Sequence, residues 1–105
     1  MNLSIVIPLY NEEESIEKLN KKLKEVLIKL GINYEILYID DGSRDASVKI
    51  LRDLSSQDDH LRIIELKRNF GKSIALAVGF DQVLGDLVVT MDADGQHRID
   101  DLKKI

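Results

Sequence analysis

Two carboxylates stand one residue apart directly after an apolar run near the C-terminal end of the sequence. The run is Leu87 to Met91, and Asp92-Ala93-Asp94 follows it. Because alternate residues of an extended strand point to the same side, Asp92 and Asp94 can converge on one cation. Mg²⁺ and Mn²⁺ prefer carboxylate and water oxygens and often share them with substrate phosphates. Gln96 offers a further carbonyl oxygen, so the pattern predicts a metal site here.

A structural interpretation of the same segment stays open. Asp94-Gly95 has the composition of a turn and could cap a helix that begins near Arg98. His97 is in such a place more often a packing residue than a metal ligand. The position of the acidic pair favours the metal hypothesis, because the pair follows a strand and other strands also end in polar clusters.

Asp40-Asp41-Gly42-Ser43 is a second acidic cluster at the end of a strand-like run. Gly42 and Ser43 supply turn and cap chemistry, so one carboxylate can be structural. A carboxylate can instead accept hydrogen bonds from the donor edge of a nucleobase. We interpret Asp40 as the structural member and Asp41 as the ligand contact.

Pro8-Leu9-Tyr10-Asn11-Glu12 ends the first strand-like run. Proline fixes the backbone there, the ring of Tyr10 could stack on a base, and Glu12 could reach a base or a ribose. The alternative is an aromatic side chain packed over a sheet edge, followed by an ordinary helix cap.

One basic segment, Lys67 to Ser73, precedes the third helical pattern. Gly71-Lys72-Ser73 resembles the end of a phosphate-binding loop, but the first glycine of that motif would fall at Leu66, which excludes it. A basic segment that opens a helix can still hold diphosphate oxygens through side chains and terminal amides. A solvated loop is the equal alternative.

Alternating strand and helix patterns would bring these clusters together. Strands are predicted at Leu3 to Pro8, Tyr34 to Ile39, Leu61 to Leu66 and Asp86 to Met91. Helices are predicted from a cap at Asn11 to a stop at Gly31, from a cap at Ser43 or Asp45, and from Gly71 to Leu84. This βαβ alternation predicts an α/β fold: a parallel sheet of about four strands in the order 3-2-1-4 with helices on both faces. Ligands of such sheets bind at the carboxyl ends of the strands, where the strand order reverses.

Composition narrows the functional classes. The chain has 105 residues, 44% of them hydrophobic, with a formal net charge of -4 and no cysteine. One domain at most is expected, a general nucleic-acid binder is disfavoured, and disulfide or thiolate metal sites are excluded. No signal-peptide pattern and no apolar stretch near the ~20 residues of a membrane span are present, so a soluble, cytoplasmic chain is expected. Residues 101–105 read as the start of a helix, so we expect the chain to be part of a longer protein.

Taken together, the clusters resemble the N-terminal, nucleotide-sugar-binding half of glycosyltransferase family 2, which has the Rossmann-like GT-A fold. The closest branch is that of the polyprenyl-phosphate enzymes similar to dolichol-phosphate mannose synthase. The matching segments are Val6-Ile7-Pro8-Leu9-Tyr10-Asn11-Glu12, Ile39-Asp40-Asp41-Gly42-Ser43-Arg44-Asp45, Arg68-Asn69-Phe70-Gly71-Lys72 and Met91-Asp92-Ala93-Asp94-Gly95-Gln96-His97. Arg98 departs from the branch, which usually has proline at that position.

The resemblance implies a role for each matching residue. The nucleotide-sugar pocket would be lined by Pro8, Tyr10, Glu12, Ile39, Asp41, Arg68, Lys72, Asp92, Ala93 and Asp94. The catalytic residues would be Asp92 and Asp94, with Mg²⁺ or Mn²⁺ held by Asp92, Asp94 and Gln96.

The same resemblance implies the reaction and the partners. A GDP- or UDP-sugar would donate its sugar, with inversion, to a lipid-phosphate or glycan acceptor. A polyprenyl phosphate is favoured because it is already an anion and needs no general base. Membrane attachment at the cytoplasmic face would come from segments outside this chain, and half an active site predicts exposed apolar surface and self-association. Two alternatives are a receiver-like regulatory domain and a catalytically silent nucleotide-binding fragment.

Overall fold

The structure is a computed structural model that describes residues 2–93 and residue 99. Strands and helices alternate along the chain. They are β1 (Asn2–Leu9), α1 (Ile16–Leu30), β2 (Asn33–Asp40), α2 (Ser47–Ser56), β3 (Leu61–Glu65), α3 (Lys72–Gln82) and β4 (Leu87–Thr90). All strand pairs are parallel and the order is β3-β2-β1-β4, which confirms the predicted topology.

One face of the sheet packs against α1 and α2. Side chains that alternate along β1, among them Ile5 and Ile7, are fully buried with Leu19 and Leu23 of α1 and Leu51 of α2. Complete burial of such a side chain contributes about 1.5–3 kcal/mol, so this larger cluster is the main hydrophobic core.

Among the described helices, α3 is the one that packs against the other face. Val6, Leu37, Ile39 and Ala75 form a smaller buried cluster there. Gly79 allows the close approach, because a Cβ at that position would lie 2.7 Å from Val6 Cγ1. The outer side of the helix and the connection after it leave Ile74, Phe80 and Leu84 exposed, in line with the expected apolar surface, while self-association stays a prediction.

The start of α1 differs from the sequence prediction, whereas the start of α2 agrees with one of its two predicted caps. The predicted cap at Asn11 is wrong: α1 begins after Ser15, and Asn11 has a left-handed backbone with φ of 52°. The residue before α2 is Ala46, and the Asp45 carboxylate accepts a hydrogen bond from the Ser47 amide at 2.9 Å, as a capping side chain does. The predicted stop at Gly31 is confirmed, with φ of 65° and its N–H bonded to the Ile28 carbonyl.

A carboxylate network ties the connection before β4 to the sheet, at the end opposite the polar clusters. Glu35 accepts hydrogen bonds from Ser4 Oγ at 2.6 Å, Arg62 Nη1 at 2.7 Å and the Leu84 amide at 2.7 Å. Partial burial raises the pKa of Glu35, but these hydrogen bonds outweigh it and the pKa is lowered overall. The charged form of Glu35 therefore stabilises the fold.

Within residues 2–93, no helix combines the length and the apolar character needed to cross a membrane.

Candidate functional site

A cleft of about 460 Å³ opens at the carboxyl ends of the strands, next to the point where the strand order reverses between β1 and β4. Residues from the ends of β1, β2 and β4 and from the connection between β3 and α3 form its walls. They are Pro8, Leu9, Tyr10, Glu12, Asp41, Asn69, Gly71, Lys72, Asp92 and Ala93. Segments that are far apart in the sequence thus meet at one rim, where ligands of doubly wound sheets bind.

The first wall follows β1 and carries Tyr10 and Glu12. The ring of Tyr10 is 41% exposed, so the side chain is available to a ligand. The backbone between the two residues is held from outside the cleft, because the Asn11 amide donates to Ser43 Oγ at 2.8 Å and the Glu12 amide donates to Ser47 Oγ at 3.0 Å.

The acidic pair at the end of β2 is buried, and each carboxylate holds a neighbouring piece of backbone. Asp40 is 1% exposed and accepts a hydrogen bond from the Ser43 amide at 3.0 Å. Asp41 is 4% exposed, and its two oxygens accept hydrogen bonds from the Phe70 amide at 2.8 Å and the Gly71 amide at 3.0 Å. The division into a structural Asp40 and a ligand-contacting Asp41 is therefore too simple: Asp41 borders the cleft and also fixes the start of α3.

The connection before α3 lies tightly against the connection after β2. Gly42 has φ of 74°, and a Cβ there would lie 2.3 Å from the Arg68 carbonyl carbon. Glycine meets both requirements, since it tolerates the left-handed backbone and leaves room for the neighbouring chain. The wall that holds Asn69 and Gly71 is thus set by backbone contact.

An ion pair joins the far walls of the cleft. Lys72, the first residue of α3, contacts the Asp92 carboxylate through its ammonium group. Their side chains are 59% and 54% exposed. Exposed pairs are weak, so both charges remain available to a ligand. A diphosphate would find a cation at Lys72, and a metal ion would find a carboxylate at Asp92.

Other predicted site residues lie elsewhere. The Ile39 side chain is fully buried beneath α3 and is not among the residues that line the cleft, so its predicted contact with the nucleotide stays a prediction. Arg68 stands over the Phe70 ring, 4.7 Å from its centroid, and borders an adjoining depression instead of the cleft. Asp94 and Gln96 lie outside the described residues.

The described residues contain no cluster of three side chains able to hold a metal ion. Asp92 alone among the three predicted ligands falls within them. A carboxylate that is half exposed at a cleft suits a hard cation, because Mg²⁺ usually takes one or two carboxylates and completes its shell with water and substrate phosphates. The part of the site described here is therefore compatible with such an ion, and Asp94 and Gln96 would have to supply the rest.

Sequence reasoning missed two wall residues, Leu9 and Gly71, and gave Asn69 no role. Asn69 and Gly71 both fall in the basic segment that was interpreted as a possible diphosphate contact. Asp41 fixes this segment by accepting hydrogen bonds from the Phe70 and Gly71 amides. No local sequence pattern indicates such a contact, because it joins residues about 30 positions apart.

Comparison with known proteins decides the family. The family model described as glycosyl transferase family 2 matches residues 4–105. This chain belongs to glycosyltransferase family 2. The wall segments described above therefore come from a fold that its relatives share.

Two curated relatives of this glycosyltransferase family 2 chain are similar over most of its length. An uncharacterized glycosyltransferase of Synechocystis sp. is 48% identical over 96 residues, which cover 91% of this chain and 30% of the relative. The undecaprenyl-phosphate 4-deoxy-4-formamido-L-arabinose transferase of Pseudomonas fluorescens is 39% identical over 104 residues, which cover 98% of this chain and 30% of the relative. The chain thus spans just under a third of the length of these relatives.

A solved structure shows the shared fold. The mannosyltransferase PcManGT of Pyrobaculum calidifontis, in complex with GDP-Man and Mn²⁺, aligns with a TM-score of 0.75 at 24% identity. The alignment covers 88% of this chain and 27% of that one. The α/β sheet of this family 2 chain is the Rossmann-like part of a GT-A fold.

Proposed function

We propose that this chain is the donor-binding part of an inverting glycosyltransferase that depends on a divalent metal ion. The enzyme would move a sugar from a nucleoside-diphosphate-sugar to an acceptor, and the acceptor favoured here is a polyprenyl phosphate. The observation that carries the proposal is the meeting of Tyr10, Asp41, Lys72 and Asp92 at one cleft. An aromatic ring, carboxylates and a cation are the groups that a base, a ribose and a diphosphate require.

The donor would lie across the cleft with its nucleoside towards the end of β1. There Pro8, Tyr10 and Glu12 line the wall, with Asp41 next to them. The diphosphate would lie towards the end of β4, where Lys72, Asp92 and Ala93 line the opposite wall. The cation of Lys72 would then offset phosphate charge without any change of fold.

The divalent ion would be held by Asp92, Asp94 and Gln96. Bound Mg²⁺ or Mn²⁺ offsets the charge of the departing nucleoside diphosphate and orients its phosphates. Asp92 would contribute a carboxylate oxygen at the cleft, where it also contacts the Lys72 ammonium group. The Mn²⁺ in the PcManGT complex supports the use of a divalent ion by this fold.

Two arguments favour a polyprenyl phosphate as the acceptor: the charge of the phosphate and the name of one relative. An inverting transfer needs a nucleophile that attacks the anomeric carbon from the face opposite the diphosphate. A polyprenyl phosphate brings its own negative charge, so no side chain has to remove a proton. The relative named as an undecaprenyl-phosphate transferase supports an acceptor of this class. Such an acceptor would place the whole enzyme at the cytoplasmic face of a membrane.

A second candidate is a nucleotide-binding chain without turnover. It is favoured because none of the described residues that line the cleft is assigned to the acceptor. Binding of the donor and transfer of the sugar are therefore separate questions, and the test addresses binding first.

Calorimetric titration with GDP, UDP and their sugars, with Mn²⁺ and with a chelator, tests the proposal. We expect one nucleoside diphosphate to bind with Mn²⁺ and to bind far more weakly with the chelator. Asp94→Ala should abolish the metal-dependent part, whereas Asp81→Ala on the exposed side of α3 should leave it unchanged. Absence of binding under every condition would refute the donor site.

A further inference from the structure

Three consecutive backbone amides after β1 all donate to side chains of residues 43–47, which comprise the end of the connection between β2 and α2 and the first residue of α2. Asn11 N–H bonds to Ser43 Oγ at 2.8 Å, Glu12 N–H to Ser47 Oγ at 3.0 Å, and Glu13 N–H to Asp45 Oδ2 at 3.2 Å. Amides that precede a helix need partners from outside it. Here all three partners come from this one short segment.

The contact is reciprocal. Asn11 Oδ1 accepts a hydrogen bond from the Arg44 amide at 2.9 Å, and Glu13 Oε2 accepts one from the Ala46 amide at 3.0 Å. Five hydrogen bonds therefore join the connection after β1 to residues 43–47. Several weak bonds that share one geometry restrict the backbone more than any of them would alone.

Asn11 is the centre of this junction and carries an unusual backbone. Its φ of 52° is the left-handed conformation, which asparagine tolerates better than most residues because its short amide bonds locally. The flanking residues Tyr10 and Glu12 both line the cleft, whereas Asn11 does not. A residue turned away from the cleft thus sets the backbone of two residues that form it.

We propose that Asn11 and Ser43 are positioning residues that hold Tyr10 and Glu12 ready for the nucleoside end of the donor. This inference rests on the proposed function, and it adds two residues that act through the backbone between the wall residues. The diphosphate end has a different support, namely the clamp of Asp41 on the amides of Phe70 and Gly71. Loss of the Asn11–Ser43 junction should therefore weaken recognition of the nucleoside and spare recognition of phosphate.

Pyrophosphate separates the two ends because it carries the diphosphate without base or ribose. Calorimetric titrations of GDP or UDP, whichever binds the wild-type chain, are compared with titrations of pyrophosphate, all with Mn²⁺. Asn11→Gly keeps the left-handed backbone but removes the acceptor for Arg44, and Ser43→Ala removes the acceptor for the Asn11 amide. We expect each variant to bind the nucleotide roughly 3- to 10-fold more weakly, the effect of one hydrogen bond. The affinity of each variant for pyrophosphate should stay within about 2-fold of the wild-type affinity.

Conservative variants and a matched control complete the experiment. Asn11→Asp keeps an acceptor oxygen and Ser43→Thr keeps the hydroxyl, so both should recover nucleotide affinity close to that of wild type. Ser56→Ala removes a hydroxyl that donates to the Asp53 carbonyl near the end of α2, and it should change neither affinity. Circular dichroism verifies the fold, and Ser43→Ala carries the test if Asn11→Gly does not fold.

Two variant results would overturn the inference. Unchanged nucleotide affinity would show that the junction does not position the wall, and an equal loss for nucleotide and pyrophosphate would show a general loosening of the site. A wild-type chain that binds neither ligand would refute the proposed function, and the positioning role with it. Failure of the proposed function can be distinguished from failure of the positioning role, because it is already visible in the wild-type titration.

Discussion

The Lys72 ammonium and the Asp92 carboxylate form an ion pair across the cleft, which joins the first residue of α3 to the second residue after β4. Both side chains are more than half exposed, so the pair contributes no more than about 1 kcal/mol to stability. The pair matters for binding more than for stability, since it places one positive and one negative group where a diphosphate and a metal ion would need them.

Replacing Lys72 by methionine should weaken nucleoside diphosphate binding and leave the stability of the fold nearly unchanged. The substitution removes a cation from the cleft, so we expect nucleoside diphosphate affinity to fall about 10-fold, equivalent to ~1.4 kcal/mol. The free energy of unfolding should change by less than about 1 kcal/mol, because the lost pair is exposed. Titration calorimetry and urea denaturation measure the two quantities.

Lys67→Met is the matched control for charge. It removes a lysine from the same segment, outside the cleft. An equal loss of affinity in both variants would show that the net charge of the segment matters and that the position of Lys72 does not.

Asp41→Asn should destabilise the fold. The side-chain amide would present a donor to either the Phe70 or the Gly71 amide, where the carboxylate now accepts from both. A buried donor left without a partner costs about 1–3 kcal/mol. Urea denaturation measures the loss, with the exposed Asp81→Asn as control. A difference below about 0.5 kcal/mol between the two variants, within the range of neutral surface substitutions, would contradict the clamp.

Glu35 should make stability fall in acid. Its pKa is lowered in the folded protein, because hydrogen bonds from Ser4, Arg62 and the Leu84 amide outweigh the effect of burial. A lowered pKa means that the stabilisation is fully present above the ordinary value of 4.5 and is lost as the pH falls through the folded value. The free energy of unfolding should therefore drop more steeply in wild type than in Glu35→Gln as the pH falls below about 4.5.

Glu25→Gln, on the exposed side of α1, is the control for that titration. It should follow the wild-type curve. Parallel curves for wild type and Glu35→Gln would mean that the Glu35 network does not stabilise the charged carboxylate.

The arrangement of the sheet could be predicted from the sequence because it follows from local patterns and one topological rule. Continuous apolar runs predicted buried parallel strands, and β1 is buried from Leu3 to Leu9. Right-handed crossovers then limit the strand orders to a few, and polar clusters at the strand ends indicate the edge with the cleft.

The connections could not be predicted in the same way. Asn11 has the sequence context of a helix cap, but its partners Ser43 and Arg44 lie 32 and 33 residues further on. No local rule contains such a contact, so the capping prediction was wrong although the polar character of the segment was predicted correctly.

Ile39 and Asp41 show which features of the site follow from strand alternation and which do not. Ile39 and Asp41 lie two residues apart and so face the same side of the sheet, towards α3. Ile39 lies beneath the helix, in the core, whereas Asp41 lies past the end of the strand and reaches the connection before the helix. Strand alternation would have predicted the burial of Ile39, but not the clamp of Asp41.

Paramagnetic broadening by Mn²⁺ tests the central claim most directly, because it locates the ion within the chain. In an isotope-labelled sample with GDP or UDP, amide signals near the bound Mn²⁺ lose intensity. We predict the strongest losses at Asp92 and Ala93, weaker losses at Tyr10, Asp41 and Gly71, and none at Glu35, at the opposite end of the sheet. Losses centred on the opposite end or on the outer side of α1, or an identical pattern without the nucleotide, would contradict a donor site built around a divalent ion.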